Sequence, residues 1–281
     1  MITCNLMGGL GNQIFQIFAT ISYAIKSRNK FKFLNVSTLG TGSTTIRNTF
    51  WNSFFNRLKP FLYDNIPQPI HVIREKDFTF NELPIYEMIG NDCLIYGYFQ
   101  SYKYFQENYE MICRIIGLQK TKEKLIQKLN LNGEYLKKCV SIHFRLGDYK
   151  KLQQIYQLAT YDYYINSLRF IQNKTNETFT VLYFCEDDDI DDVLETINKL
   201  KEEISDYKFI RGENTLEDWE QMLFMSCCHH NIIANSSFSW WAAYFNSFTD
   251  KIVCYPSIWF GEIAKNNTKD LCPPEWNKIF V

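Results

Sequence analysis

The sequence predicts an α/β protein with mostly parallel sheets, and three observations predict it. Apolar, strand-like runs alternate with helix-period segments through both halves of the 281 residues. Hydrophobic residues make up 46% and aromatic residues 17%, which argues for a packed core and against disorder. No Gly/Ser- or Pro-rich linker interrupts the chain. A chain of this length therefore reads as one large domain or, more naturally, two closely joined lobes sharing a cleft.

The elements follow in order. "MITCNLM" reads as a strand and "QIFQIFATISYAIKSRN" as a helix with Ile14, Ile17, Phe18, Ile21 and Ile25 on one face. Lys26, Arg28 and Lys30 suit its carboxyl end, where the helix dipole favours cations. Residues 35–90, with polar stretches, "PQP" at 67–69 and many aromatics, resist assignment. "DCLIYGYF" and "CVSIHF" read as strands, with helices around 101–116 and 120–130 between them. A helix near 160–172, the strand "FTVLYFC", a helix near 189–204 and the strand "YKFI" come next. A helix at 215–227, the strand "NIIAN", a helix at 238–247 and the strand "KIVCYP" complete the series. No repeat of fixed period is visible.

Composition excludes several function classes. A formal net charge of -1 argues against a general nucleic-acid binder, which needs a basic face for phosphates. "EDDDIDD" at 186–192 reads as a solvated turn and helix start rather than a metal site. The first residues lack the basic region and uninterrupted apolar run of a signal peptide. No run of 18 or more apolar residues exists, so the expectation is a cytoplasmic protein without a membrane span. Peripheral membrane contact and oligomeric state stay open. The nine cysteines are scattered and odd in number, which favours buried thiols in a reducing compartment over a disulfide framework. Cys227 and Cys228 are adjacent and followed by His229 and His230; neighbours on one element are expected to point apart, which argues against zinc.

Three stretches fall where strands give way to loops, the place where open α/β sheets bind ligands. "GGLGNQ", Gly8 to Gln13, is a glycine-rich turn that lets backbone N–H groups approach an anion. It lacks the third glycine of a dinucleotide fingerprint and the Lys-Ser/Thr ending of a P-loop. In "SIHFRLGDY", strand alternation puts His143 and Arg145 on one face and Phe144 and Leu146 on the other. Gly147 then turns the chain, and Asp148 is placed to fix the loop or orient the arginine. The planar donor fork of Arg145 suits phosphate oxygens, with a structural Arg145–Asp148 ion pair as the alternative. In "NIIANSSFSWWAAYFN" an apolar strand runs into Asn235-Ser236-Ser237, which could cap a helix whose first-turn N–H groups hold an anion. Trp240 and Trp241 read as aromatic core.

Together and in this order, "GGLGNQIFQ", "HFRLGDY" and "NSSFSWWAAY" resemble the alpha-1,2-fucosyltransferase family of GDP-fucose-dependent glycosyltransferases, glycosyltransferase family 11. "YFCEDD" and "DYYINSL" are similar to two further stretches of that family. The resemblance implies a GT-B-like fold, with two Rossmann-like lobes and mostly parallel sheets facing a central cleft. Residues 1–130 would form the N-terminal lobe on the acceptor side, with the GGLGNQ loop. Residues 131–281 would form the GDP-fucose-binding lobe, with the C-terminal tail able to pack back on the first. It also implies inverting transfer of fucose to a hydroxyl of a glycan acceptor, a terminal galactose in the family, with no metal and no cofactor beyond the nucleotide-sugar donor. Arg145 would grip the diphosphate, His143 would contact the nucleotide end, and Ser236, Ser237 and Phe238 would bind phosphate. Gly11 and Asn12 would meet the donor from the other lobe, with Asn12 at the transferring sugar or its phosphate. Catalytic roles would fall to Arg145, Asn12 and Asp148, the last as proton acceptor or as orienter of Arg145. Two positions depart from the family: Leu146 replaces its second arginine, and Glu186 stands where it usually has serine. A GT-B transferase for another nucleotide sugar, or a non-catalytic glycan-binding homologue, are the alternatives.

Overall fold

The structure, a computed structural model, describes residues 1–40, 45–65, 71–85, 92–264 and 266–280. The "PQP" segment at 67–69 lies outside the described residues. The chain divides into two compact units, Met1–Thr121 with Asn266–Pro273, and Lys122–Lys265 with Pro274–Val281.

The first unit opens with β1 (Ile2–Cys4), whose three residues are all buried. Parallel strands covered on both faces read as continuous apolar runs rather than alternating ones. Helix α1 (Leu10–Lys26) follows, starting in the GGLGNQ stretch itself, so Asn12 and Gln13 lie on its first turn. Only Asn12, Ile25 and Lys26 escape burial. The single apolar face expected for this segment is thus exceeded, because a helix covered all round belongs to the core. Phe18 meets Phe105 edge-on at 5.5 Å.

Short strands lie just before and within the stretch that resisted assignment: β2 (Phe33–Leu34), then β3 (Thr38–Leu39), β4 (Arg47–Asn48), β5 (Leu62–Tyr63) and β6 (His71–Arg74). The two-residue strands β2 to β5 have no room to show a period of two, and β6 buries only Ile73, which is why sequence pattern missed them. With β7 (Cys93–Tyr96), the main sheet has the order β1-β7-β6, all parallel. Two 3-10 turns, Tyr102–Tyr104 and Gln106–Asn108, lead into α2 (Tyr109–Ile116). That helix ends on Gly117, whose φ of 71° is the left-handed conformation a helix stop uses. Helix α3 (Leu118–Lys128) follows.

The second unit contains α4 (Gly133–Leu136), β8 (Cys139–His143), α5 (Tyr161–Thr175), β9 (Thr180–Phe184) and α6 (Ile190–Glu203). It continues with β10 (Lys208–Arg211), α7 (Asp218–Met225), β11 (His230–Ile232), α8 (Ser237–Tyr244), β12 (Val253–Pro256) and β13 (Asn277–Ile279). The six strands lie in the order β10-β9-β8-β11-β12-β13, every pair parallel. Counted from β8, that is the doubly wound dinucleotide-binding order 3-2-1-4-5-6. The α/β class with mostly parallel sheets is therefore what the chain adopts, fully developed here and in reduced form in the first unit. Strand β13 had no sequence signal: its three residues include the exposed Lys278.

Val140, Ile142 and Val181 of the sheet pack against Leu168 and Ile171 of α5 and Val193, Ile197 and Leu200 of α6. Each such side chain fully buried contributes roughly 1.5–3 kcal/mol. Helix α5 also fastens the strands' carboxyl ends. The Tyr163 hydroxyl donates to the Ile233 carbonyl at 2.6 Å, and Tyr164 to the His143 carbonyl at 3.1 Å.

Candidate functional site

The crossover from β8 leads to β9 on one side, while β11 leads to β12 on the other, so the switch point of the second unit lies between β8 and β11. The loops leaving these two strands carry the second and third stretches singled out in the sequence.

Leaving β8, Phe144 joins the core cluster and Leu146 packs against it, which leaves His143 and Arg145 to the other face. Position 146 thus presents no charge to a ligand. His143 is buried, with its ring 5.3 Å from that of Phe238 and its Nδ1 unpartnered. Burial, aided by the Arg145 charge, pulls its pKa to about 3, so the imidazole stays neutral near pH 7.

Arg145 forms an ion pair with Glu186 through Nη1 and with Asp148 through Nη2, the latter at 2.5 Å. Its guanidinium carbon lies 5.1 Å from the Tyr149 ring centre. Burial works against its charge, but Glu186 and Asp148 outweigh burial and raise its pKa further. The sequence reading supplied an anion from the substrate as the arginine's counterpart. In the structure the chain supplies two of its own carboxylates, including the Arg145–Asp148 pair held as the alternative.

The acidic stretch is also more than a solvated turn. It does form a 3-10 turn at Asp187–Asp189 and the start of α6. Yet Asp189 is buried, accepting the Gly147 N–H at 2.6 Å and pairing with Lys150 at 2.7 Å. Gly147 has φ 33°, and a Cβ there would meet Glu186 Oε2 at 2.9 Å. Backbone conformation and close approach together select glycine at this turn.

Leaving β11, Ser236 caps α8, its Oγ accepting the Phe238 N–H at 3.3 Å. Ser237 and Phe238 follow half-buried on the first turn. Asn235 is an anchor that residue type alone did not reveal: its Nδ2 donates to the carbonyls of Gln157 at 2.7 Å and Trp259 at 2.9 Å. The Tyr149 hydroxyl donates to the Asn235 carbonyl at 3.4 Å, tying the two loops together. Trp240 and Trp241 are fully buried, as expected of core. Behind them, Asn246 donates to Asn231 Oδ1 at 2.7 Å, and Asn231 to Ser141 Oγ at 2.8 Å.

Gly11 and Asn12 belong to the first unit. Gly11 is buried, and Asn12 Oδ1 accepts from Gln100 Nε2 at 2.8 Å. Gln13 spans the preceding turn, donating to the carbonyls of Gly8 at 3.1 Å and Asn48 at 2.9 Å. Gln16 accepts the Met7 N–H at 2.8 Å. Gln100 was not singled out, because it sits in a short turn after β7 that follows no recognisable pattern.

The four-residue run Cys227–His230 departs from expectation in one respect. The two imidazoles do not point apart but stack, 4.1 Å between centroids and 19° between planes. His230 Nδ1 accepts the Ile252 N–H at 3.0 Å. Among the described residues no group of three or more His, Cys, Asp or Glu side chains is placed to share a metal ion. All nine cysteines are free, seven of them buried. Among the described residues no helix is long and apolar enough to cross a membrane.

A parallel sheet in doubly wound order, with arginine, neutral histidine and a helix N-terminus at its switch point, defines an α/β protein of the doubly wound class. The particular family follows from the whole chain. It belongs to glycosyltransferase family 11, whose model, "Glycosyl transferase family 11", matches residues 1–279. The protein is a glycosyltransferase. An alpha-1,2-colitosyltransferase of Escherichia coli is 28% identical over 298 residues, covering 99% of each chain. The O-antigen biosynthesis glycosyltransferase WbnK of Escherichia coli is 27% identical over 314 residues, covering 98% of this chain and 99% of its own. Among solved structures, a mutant of Arabidopsis thaliana FUT1 in complex with GDP aligns with TM-score 0.47 and 9% identity, over 90% of this chain and 69% of that one. Escherichia coli ADP-heptose lps heptosyltransferase II aligns with TM-score 0.36 and 12% identity, over 56% of this chain and 42% of that one.

Proposed function

We propose that the protein transfers fucose, or a deoxy form of it, from a GDP-sugar to a hydroxyl of a galactose-ended glycan, with inversion and an alpha-1,2 linkage. The observation that carries this reading is the pairing of Arg145 with the capped N-terminus of α8 at one switch point, in a chain of glycosyltransferase family 11. In this reading the donor diphosphate takes over the guanidinium fork from Glu186 and Asp148, and Ser236, Ser237 and Phe238 bind phosphate through hydroxyls and N–H groups. Neutral His143 offers its unpartnered Nδ1 to the nucleotide end. Gly11 and Asn12 contact the donor at the transferring sugar or its phosphate.

Inversion requires the acceptor oxygen to attack opposite the departing GDP. The main electrostatic task is then the negative charge that grows on the leaving diphosphate, and a preorganised arginine is suited to it. Asp148, paired with Arg145, orients it. No metal or further cofactor is assigned to the reaction.

Colitose is fucose without one hydroxyl, and a colitosyltransferase that matches 99% of this chain gives the deoxy donor specific support. A glycan-array transfer assay in excess EDTA tests the reading, with GDP-fucose, GDP-colitose and UDP-galactose as donors and linkage analysis of the product. The expected result is alpha-1,2 transfer from a GDP-sugar. Transfer from the UDP-sugar alone, dependence on added manganese, or GDP binding without turnover would each overturn it.

A further inference from the structure

Within the first unit, a cavity of about 480 Å³ opens beside the end of β6, lined by residues 73–76, 81–85 and Tyr104. Sites for small organic ligands span about 300–1,000 Å³ and combine apolar walls with a few placed polar groups. Here Ile73, Leu83, Pro84 and the Tyr104 ring supply apolar wall, while Glu75 and Asn81 supply acceptors and donors. Arg74 and Lys76 balance Glu75 and Glu82 along the lining, so the cavity suits an uncharged, hydroxyl-rich ring better than an ion.

The walls are tied in place. The Asn81 N–H donates to the Tyr104 hydroxyl at 3.2 Å, the Phe80 N–H to Asp270 Oδ2 at 3.1 Å, and the Tyr23 hydroxyl to the Pro84 carbonyl at 2.7 Å. Tyr104 itself rests edge-on against Phe99 at 5.2 Å.

Glu75 is the first residue past β6, and its Oε2 accepts the Tyr98 N–H at 2.7 Å. The turn that supplies this amide is shaped to the carboxylate. A Cβ on Gly97 would lie 2.4 Å from Glu75 Cβ and 2.6 Å from Oε2, and Phe99 takes φ 53°. Asn12, Gln100 and Glu75 all lie past the carboxyl ends of β1, β7 and β6, three adjacent parallel strands. That rim is where parallel sheets place ligands. A carboxylate has about four lone-pair sites, more than the backbone amides here occupy.

We infer that this cavity holds the acceptor sugar and that Glu75 takes the proton of its reacting hydroxyl. The inference rests on the transferase reading above. As the acceptor oxygen's lone pair bonds to the anomeric carbon, the bond to the diphosphate breaks and its electron pair leaves on GDP. The hydroxyl proton moves to Glu75, which becomes neutral and later loses the proton to water. Burial raises the Glu75 pKa against the opposing pull of the Phe99 and Tyr98 amides, with Asp77 adding to the rise; a stronger base results.

The test is kinetic and uses the donor and arrayed glycan that wild-type protein accepts. Glu75→Gln keeps an oxygen for the Tyr98 N–H and removes a half-buried charge. Its kcat is expected to fall on the order of 10²–10⁴-fold, with GDP affinity within about twofold and a melting temperature at pH 7 no lower than wild type. Its residual activity should lose the acidic limb of the kcat–pH profile. Glu75→Asp should recover part of kcat. A second variant, Leu83→Trp, fills the cavity and should raise acceptor KM while GDP affinity is kept. An undiminished kcat in Glu75→Gln, or a lowered melting temperature that accounts for its loss, overturns the role of Glu75. Unchanged acceptor KM in Leu83→Trp overturns the cavity. Wild-type protein that transfers from none of the GDP-sugars removes the transferase reading itself, and this assignment falls with it.

Discussion

Two polar regions, one in each unit, are held by different physics. In the second, the loops past β8 and β9 are locked by ions: Arg145 between Glu186 and Asp148, and Lys150 between Asp189 and Asp192. In the first, the turn before α1 is held by neutral amides, through Gln13, Gln16 and the Asn12–Gln100 pair. Neutral bonds between amides keep their strength across pH and salt. Ion pairs respond to both, and an incoming anion can exchange with the carboxylates that make them. The difference teaches that the ionic loops of the second unit could exchange partners with a bound anion, whereas the turn of the first offers no such exchange.

The largest expected effect tests whether the second unit's site rests on its packing. Trp241 is fully buried on α8, 5.0 Å from Trp240 and 4.9 Å from Phe245 between ring centres. Trp241→Ala should cost roughly 3–5 kcal/mol, as large-to-small changes in cores do. Thermal melting measures it. An unchanged melting temperature with lost donor binding would make Trp241 a ligand contact and the ionic loops independent of the core.

Next comes the arginine. Arg145→Lys keeps the charge but loses the planar fork that serves two carboxylates now and, in the proposed reaction, a diphosphate. The expected result is a loss of kcat on the order of 10²–10³-fold. GDP affinity should fall less, because Ser236, Ser237 and the α8 N-terminus remain. A variant with wild-type kcat but a lowered melting temperature would show that the ions only brace the loop. The second unit would then hold fixed partners, as the turn of the first does.

Legibility followed the same division. The second unit's strands and helices could be read because β8, β9, β11 and β12 lie in or overlap apolar-rich stretches such as "CVSIHF", "FTVLYFC" and "NIIAN", flanked by helix-period segments. The reading located His143, Arg145 and Ser236–Phe238 at strand ends, and the fold brought them to one switch point. The helix at α1 could be read too, but not its burial on all sides, since Gln13, Gln16 and Thr20 look like a polar face until their partners are known. Two-residue strands such as β2 and β5 carry no period. Glu75 and Gln100 carry none either; their geometry depends on a turn at Gly97–Gln100 whose shape comes from neighbours distant in sequence. Charge composition likewise could not tell that Asp189 would be buried while Asp187 stayed exposed.

Acid should also separate the units. Burial, with Arg145 second, lowers the His143 pKa to about 3, and burial, with His229 second, lowers that of His230 to about 4, both from 6.5. A depressed folded-state pKa means the unfolded chain binds protons first. This stability is therefore fully present above about pH 6.5 and is lost as pH falls toward 4 for His230 and toward 3 for His143. Each histidine contributes a slope of at most about 1.4 kcal/mol per pH unit in that window. Hydrogen exchange between pH 7 and pH 4.5 should show protection falling first in the peptides of β8 and β11. His143→Asn should flatten the slope of melting temperature against pH. Equal loss of protection in β1 and β7 would erase the contrast.

The smallest effect is the most specific. If Glu186 keeps Arg145 paired until an anion arrives, then Glu186→Ser should leave the fork free on that side. The pair is half-exposed, with side-chain accessibilities of 20% for Arg145 and 55% for Glu186, so its strength is that of a screened surface contact. Such contacts contribute about 0.2–1 kcal/mol, which converts to GDP binding tighter by up to about fivefold at low salt. The gain should shrink as salt rises, because both the ion pair and the diphosphate contact are screened. Asn12→Ala, which removes a neutral partner of Gln100, should show no comparable salt dependence in whatever it changes. Titration calorimetry with GDP at two ionic strengths reads both variants. Weaker GDP binding in Glu186→Ser would mean that this carboxylate holds the arginine in its binding geometry and does not compete for it. Any exchange of partners on anion binding would then have to occur at Asp148 alone.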